Sequence, residues 1–325
     1  MRTTRLGGLE VPSIGLGCMG MSTAYGTKDD AESTRAIHRA LDLGMTLLDT
    51  ADVYGNGHGE RLIGEALKDR RRDAVIATKV GNLGRAAKPR TVDGSPAHIT
   101  AGCDASLERL GVEAIDLYYL HRVDPDVPIE DSVGAMSRLV EAGKVRHIGL
   151  SEAGPDTLRR AVKIHPVAAL QSEWSLWSRD VEGAIVDTCR SLGIGFVAYA
   201  PLGRGFLTGT IPDVDALIPE DRRRDHPRFD PDNITRNLPL IDALRSVADR
   251  HGATPAQVAI AWVLARGEDV ATIPGAKKVT WVEENASAAD LELTDTDLAD
   301  LGQTFAPGAA AGTRYPEKQM AKLGI

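Results

Sequence analysis

Eight short apolar runs alternate with amphipathic segments that stop at glycine, and this alternation limits the possible folds most sharply. The runs cover residues 14–16, 46–48, 74–77, 115–120, 147–150, 168–170, 195–198 and 271–273. Between them lie helix-like stretches: 34–43 before Gly44, 99–110 before Gly111, 132–142 before Gly143, and 181–192 before Gly193. Glycine just past a helix takes the left-handed conformation that caps the last carbonyls. A further stretch, 60–69, carries Leu62, Ile63, Ala66 and Leu67 on one face. Strand–helix alternation gives a parallel sheet, and eight such units predict a (β/α)8 TIM barrel forming a single domain over residues 1–325. A doubly wound open sheet is the alternative, since it uses the same short helix-to-strand turns.

Two segments depart from the rhythm. Residues 2–5, Gly7-Gly8 and 9–12 read as an N-terminal β-hairpin whose glycines supply positive φ angles. Residues 203–237, after the seventh strand, hold Pro212, Pro219, Pro227, Pro231 and the charged run Glu220 to Asp225. A loop of that length reads equally as a solvated insertion or a lid. After Thr254-Pro255, an N-cap and N1 pair, residues 258–264 form an apolar helix suited to packing on the barrel.

The formal charge of −8 argues against a nucleic-acid or anionic-membrane surface. No run approaches the ~20 apolar residues of a membrane span, and no apolar segment follows the charges at residues 1–5. Cys18, Cys103 and Cys189 show no metal-site spacing and suit a reducing cytoplasm. Cys103 and Cys189 fall inside helices and read as small buried apolar residues. The sequence leaves the oligomeric state open, a homo-oligomer included.

Two motifs fail on inspection. Gly15-Leu16-Gly17-Cys18-Met19-Gly20 matches GxGxxG, but a dinucleotide fingerprint needs a helix opening at the third glycine. Ser22, Thr23 and Gly26 follow instead, and the helical pattern resumes only near Asp30. Residues 149–153 miss the last glycine of the GxSxG elbow, so a serine hydrolase does not fit.

Four polar residues carry the chemistry. Asp49, Tyr54, Lys79 and His121 stand at or just beyond the ends of the second, third and fourth runs. In a closed parallel sheet, an acid, a phenol, an amine and an imidazole at neighbouring strand exits meet in space. Carbonyl reduction needs a hydride on carbon and a proton on the developing alkoxide. A free tyrosine, with a pKa of about 10, exchanges that proton poorly near neutrality. A nearby Lys79 would lower it, Asp49 would hold Lys79, and His121 would orient the carbonyl oxygen. A Schiff-base aldolase using Lys79 fits poorly, because Asp49 would keep the amine charged.

The tetrad and its surroundings resemble the aldo-keto reductase superfamily. Residues 48–55, Thr78-Lys79, 116–121, 149–151, 171–174, 199–205 and 273–275 look like the family's motifs in the family's order. Residues 199–209 and 273–278 look most like the bacterial and plant branches near the potassium-channel β-subunit relatives. The resemblance implies that Tyr54 is the general acid, that Lys79 and Asp49 tune it, and that His121 orients the substrate. It implies a nicotinamide cofactor and a small-molecule carbonyl as substrate, reduced reversibly to the alcohol by direct hydride transfer; the adjacent Lys277 and Lys278 by a helix N-terminus suit a 2′-phosphate and point to NADPH over NADH. Gly17, Cys18 and Met19 would line the cofactor at the first exit. Ser151 and Gln171 would hold the nicotinamide carboxamide, and Tyr199 would stack on the ring. Pro201, Leu202, Gly203, Arg204 and Gly205 would wrap the pyrophosphate. Ile273, Gly275, Ala276, Lys277 and Lys278 would follow the adenosine half, with the two lysines on a 2′-phosphate and Glu284 and Asn285 on the adenine. Glu152 stands where the family often has asparagine and takes no such role.

Trp174, Trp177, Arg85, Lys88, Arg90 and Arg122 are candidates for substrate-facing loops. The other functional reading is an NADPH-binding redox-sensing regulatory subunit with little turnover, in which Cys18 would offer a reactive thiol.

Overall fold

A computed structural model describes the chain except residues 23, 85, 86, 88–90, 321, 322 and 325. Strands β1 (Thr3–Leu6) and β2 (Leu9–Pro12) form the expected antiparallel hairpin, with Thr3 opposite Pro12. Only Gly7 of its turn has positive φ, at 56°.

The eight expected strands all form: β3 (Leu16–Gly17), β4 (Leu47–Asp49), β5 (Val75–Val80), β6 (Ile115–Leu120), β7 (Val145–Ser151), β8 (Ala169–Glu173), β9 (Gly195–Tyr199) and β10 (Val270–Ile273). They pair in parallel in sequence order from β3 to β10. Parallel bridges Ile14–Thr272 and Gly17–Gly275 close β10 back onto β3. Gly15 N donates to Thr272 O (2.8 Å) and Thr272 N to Ser13 O (2.8 Å) across this seam. The sheet is therefore a barrel, and the open doubly wound alternative is excluded.

The seam also accounts for the unused glycine motif. A Cβ on Gly15 would stand 2.7 Å from Leu47 O, and one on Gly17 would stand 2.7 Å from Ile273 O. These glycines let strand backbones approach rather than cradle a phosphate. A one-turn helix, Met19–Ser22, follows them, and the full helix Asp30–Asp42 starts behind the cap of Asp29 on Glu32 N.

Inside the barrel, Leu47, Ala77, Leu117, Tyr119, Ala169, Val197, Ala271 and Ile273 form one apolar cluster with Leu6 of the hairpin. Leu6 is fully buried, and its backbone lies 2.5 Å from where a Cβ on Gly195 would be. The hairpin thus plugs the N-terminal end of the barrel. Its leucine contributes about 1.5–3 kcal/mol by burial. The larger cluster lies between strands and helices and takes in Cys103 and Cys189, both buried free thiols. Gly44, Gly111, Gly143 and Gly193, each at a helix end, have positive φ, as expected.

Residues 203–237 are ordered, which settles one open reading. Four short 3-10 turns (Gly203–Thr208, Val214–Ala216, Arg222–Asp225, Pro227–Phe229) lead into the helix Pro231–His251. Phe206, Phe229 and Asn237 are buried, so the segment is not a solvated loop. Asp221 accepts from Gly26 N (3.2 Å) and Arg222 N donates to Ala24 O (3.0 Å), tying the segment to the first strand's loop.

Candidate active site

Strand residues alternate between the two faces of the sheet, so the apolar interior fixes which polar residues face inward. Two positions on from interior Leu47 is Asp49. From Ala77 it is Lys79, from Tyr119 it is His121, from Ala169 it is Gln171 and from Val197 it is Tyr199. In β7, Ile148 and Leu150 pack outward, which leaves Gly149 and Ser151 for the interior. A Cβ on Gly149 would stand 2.4 Å from the Tyr119 ring, so this glycine makes room for it. In β4, β5, β6, β8 and β9 the inward row begins apolar and ends polar at the C-terminal mouth.

The tetrad assembles there. Lys79 is fully buried and donates to Asp49 Oδ1 and, at 2.7 Å, to Thr50 O. Asp49 Oδ2 accepts from Gln171 Nε2 at 2.7 Å. Tyr54 sits on the turn after β4, with Lys79 Nζ 5.4 Å from its ring centroid. The Tyr54 and His121 rings meet edge-on, 5.9 Å apart at 83°. Among the described residues neither the Tyr54 hydroxyl nor the His121 imidazole has a hydrogen-bond partner, and His121 Nδ1 is buried.

The electrostatics depart from expectation at one point. Burial, and after it the charge of Asp49, holds the Tyr54 phenol well above its ordinary range; Arg122 is what lowers it. Lys79 is spent on Asp49 and is itself pulled below its usual value by burial, against Asp49's opposing charge. Lys79 therefore does not make Tyr54 a phenolate. Burial, Arg122 and Lys79 hold His121 well below its usual range, so its imidazole is neutral.

The next layer joins segments far apart in sequence. Tyr199 donates to Glu152 Oε1 (2.8 Å) and pairs with the Tyr315 hydroxyl (3.0 Å). Arg314 bonds both Glu152 oxygens (3.2 and 3.3 Å) and lies 3.2 Å from Asp180. Glu173 accepts from Arg204 (2.8 Å) and Ser178 (2.7 Å), and Arg228 stands 3.8 Å away. Three cations hold the Glu173 carboxyl down at about 2 despite its burial. Arg228, Arg314 and Tyr315 escaped the sequence reading because they lie in no periodic segment.

The other candidates are distributed as follows. Ser151 Oγ accepts from Arg122 (3.2 Å). Arg204, expected on a pyrophosphate, is ion-paired with Glu173 and lies over the Tyr315 ring, 4.9 Å from its centroid. In the turn Pro201, Leu202, Gly203 and Gly205, the Gly203 and Gly205 amides already bond Ala200 O (3.0 Å) and Leu202 O (2.9 Å). Cys18 is buried beside Gly17 and Met19, and burial pushes its thiol far above the ordinary range, against the reactive-thiol reading.

At the eighth exit, Ile273 and Ala276 are buried and Gly275 is exposed. Lys277 donates to Tyr25 O (2.5 Å) and Thr27 O (2.7 Å), while exposed Lys278 lies over Trp281 and has no carboxylate partner among the described residues. Glu32 Oε1 accepts from Val279 N (3.1 Å), the first amide of the helix Val279–Ser287. Glu284 is half-buried, and Asn285 is buried with no partner for Nδ2 among the described residues.

Trp174 and Trp177 are not substrate walls. Both are buried, Trp174 against Phe196 (5.0 Å) and Trp177 stacked on Phe206 (4.9 Å). Arg85, Lys88 and Arg90 lie outside the described residues.

Asp52, between the tetrad and buried Glu60, was not singled out by sequence. Burial, then the Glu60 charge, pushes its carboxyl up to about 7, against a 2.6 Å bond from Val53 N. The native state therefore binds more protons than the unfolded chain between pH about 3.9 and about 7. Stability should fall as pH rises through that window, by at most about 1.4 kcal/mol per pH unit for this proton. Asp52→Asn should remove this contribution, so its stability relative to the parent should rise between pH 5 and pH 8 in urea titrations. A constant difference would refute the assignment.

A (β/α)8 barrel with an acid, a phenol, a lysine and an imidazole at its C-terminal mouth has the plan of a barrel oxidoreductase. The chain belongs to the aldo/keto reductase family, whose model matches residues 13–304. It is 46% identical over 310 residues to "Probable aldo-keto reductase 1" of Glycine max, covering 95% of this chain and 89% of that one. The structure resembles the glycerol dehydrogenase of Gluconobacter oxydans, with TM-score 0.83, 32% identity and coverage of 94% and 96% of the two chains. It also resembles a thermostable aldo-keto reductase solved with the inhibitor epalrestat, with TM-score 0.74, 30% identity and coverage of 93% and 99%. The family carries out oxidoreduction of carbonyls and uses nicotinamide cofactors. Among the described residues no helix is long and apolar enough to cross a membrane, and no cluster of three or more His, Cys, Asp or Glu is placed to hold a metal.

Proposed function

We propose that this protein reduces aldehydes or ketones reversibly to alcohols with NADPH, and that Tyr54 is the general acid. One observation carries the reading. Among the described residues the two groups suited to a carbonyl oxygen, the Tyr54 hydroxyl and the His121 imidazole, have no hydrogen-bond partner, while Lys79 and Asp49 beside them are spent on each other. A neutral imidazole donates one hydrogen bond to the oxygen and fixes its direction. The Tyr54 phenol, kept protonated by burial, gives its proton as alkoxide character develops. Lys79, charge-balanced by Asp49, places its ammonium 5.4 Å from the centroid of the tyrosine ring. Residues 1–325 act as one domain in this reading, because Leu6 fills the barrel and Arg314 bonds Glu152.

A reduced nicotinamide supplies the hydride when bound. Ser151, Gln171 and Tyr199 would hold that ring, residues 201–205 the pyrophosphate, and Gly275 to Lys278 with Glu284 and Asn285 the adenosine half. The unpartnered Asn285 Nδ2 and the uncompensated Lys278 fit such a group. The preference for a 2′-phosphate is a balance: Lys278 favours it, Lys277 is committed to backbone carbonyls, and the Glu32 carboxylate occupies the helix's first amide.

Steady-state oxidation of NADPH with a panel of aldehydes and ketones, both neutral and acidic, tests the activity, and no turnover with any of them would refute it. Fluorescence titration tests the preference. Lys278→Glu should weaken NADPH about tenfold and leave NADH nearly unchanged, while Glu32→Gln should tighten NADPH. Unchanged selectivity in both variants would sink the phosphate assignment.

A further inference from the structure

Four other cations at the C-terminal mouth each have a carboxylate within reach. Lys79 has Asp49, Arg204 has Glu173 (2.8 Å), Arg228 has Glu173 (3.8 Å) and Arg314 has Glu152 (3.2 Å). Arg122, directly after His121 at the end of β6, has none among the described residues. Its Nη1 donates to His121 O (2.6 Å) and Ser151 Oγ (3.2 Å), which pins the guanidinium between the fourth and fifth strand exits. Nε and Nη2 have no partner among the described residues.

Its surroundings are those of the reacting groups. Burial opposes the Arg122 charge, and Tyr199, Tyr315, Glu152 and Tyr54 more than offset it, so the guanidinium stays charged. That charge registers on both the Tyr54 phenol and the His121 imidazole. A half-buried cation without a counter-ion is costly unless a ligand supplies the anion. The chain as a whole carries −8, so general attraction for anions does not explain a surplus cation here. A planar guanidinium with two unspent nitrogens matches a carboxylate in a bidentate arrangement.

We infer that Arg122 is a substrate-binding residue and that the preferred substrates are carbonyl acids, aldehydes or ketones that carry a carboxylate near the carbonyl carbon. The inference rests on the reductase reading above and narrows it to a substrate class. Tyr54 and His121 take the carbonyl oxygen, and Arg122, bonded to His121 O and acting electrostatically on Tyr54, takes the carboxylate. The substrate is thereby held at two points.

The test uses 2-, 3- and 4-carboxybenzaldehyde, each beside its methyl ester, with NADPH. The wild-type protein should favour the acid of at least one isomer by about tenfold or more in kcat/KM, mainly through KM. Arg122→Gln should collapse the acid-to-ester ratio towards one, and Arg122→Lys should retain part of it. Equal efficiency for acid and ester in the wild type would overturn the inference. So would a ratio preserved in Arg122→Gln with both substrates slowed alike, because Arg122 would then serve the cofactor end or the fold. A second measurement does not need turnover. Calorimetric titration of the NADP⁺-saturated protein should show benzoate binding about tenfold or more tighter than benzamide, a difference absent in Arg122→Gln. Absence of turnover with every carbonyl would refute the reductase reading, and the benzoate titration would still decide whether Arg122 is an anion site.

Discussion

Replacing Tyr54 with phenylalanine should lower kcat/KM for carbonyl reduction by about 10²–10⁴-fold and leave both NADPH affinity and stability almost unchanged. The loss corresponds to about 2.7–5.5 kcal/mol of transition-state stabilisation. Stability is insensitive because the Tyr54 hydroxyl bonds no described residue, so its removal leaves no donor or acceptor stranded. The edge-on contact with His121 and the face presented to Lys79 belong to the ring, which phenylalanine keeps. Steady-state kinetics, fluorescence titration and urea unfolding on the same preparation separate the possibilities. Parallel loss of activity, cofactor affinity and stability would mean that Tyr54 is structural. Because burial and Asp49 keep the phenol protonated, its own titration should not limit the reduction rate anywhere below pH about 10.

The sequence carries much of this site because the barrel has a period of two. Once Leu47, Ala77, Leu117 and Val197 are taken as inward, Asp49, Lys79, His121 and Tyr199 must follow on the same face. The glycine-ended helices likewise reveal the eightfold alternation, since a C-cap is a local event. What stayed hidden depends on contacts between distant segments. Glu152 and Arg314 are 162 positions apart, and no local pattern announces their pairing. The 203–237 segment looks solvated in sequence because its proline and charge content is high. Its order comes from Phe206 and Phe229 packed on Trp177, contacts that composition does not disclose.

The tyrosine's electrostatics differ from the sequence expectation for a related reason. Sequence places Lys79 and Tyr54 together and suggests that the cation lowers the phenol. It does not show how completely Asp49 and the Thr50 carbonyl absorb that cation, nor how deeply the phenol is buried. Desolvation then outweighs a charge that is already balanced. This leaves Arg122 as the cation that acts on Tyr54, which links the proton donor to the residue assigned to the substrate's carboxylate.

Lys79→Met should cost about 3–5 kcal/mol of stability, the usual result of breaking a buried ion pair from one side. Lys79 is fully buried and Asp49 nearly so, which leaves the carboxylate with Gln171 Nε2 as its remaining side-chain partner. A buried carboxylate stripped of its cation relieves the cost by binding a proton. Its folded-state pKa then lies above the unfolded value of about 3.9, so the variant's stability is greatest at low pH and declines as pH rises through the raised value. The deficit relative to the parent should therefore be larger at pH 8 than at pH 5.5 in urea titrations. The double variant Lys79→Met/Asp49→Asn removes the stranded charge and should recover much of the stability without recovering turnover. If Lys79→Met unfolds at the parental midpoint at both pH values, the pair contributes nothing to the fold. If the double variant is no more stable than Lys79→Met, the cost lies in lost packing around the lysine stem and not in the charge of Asp49.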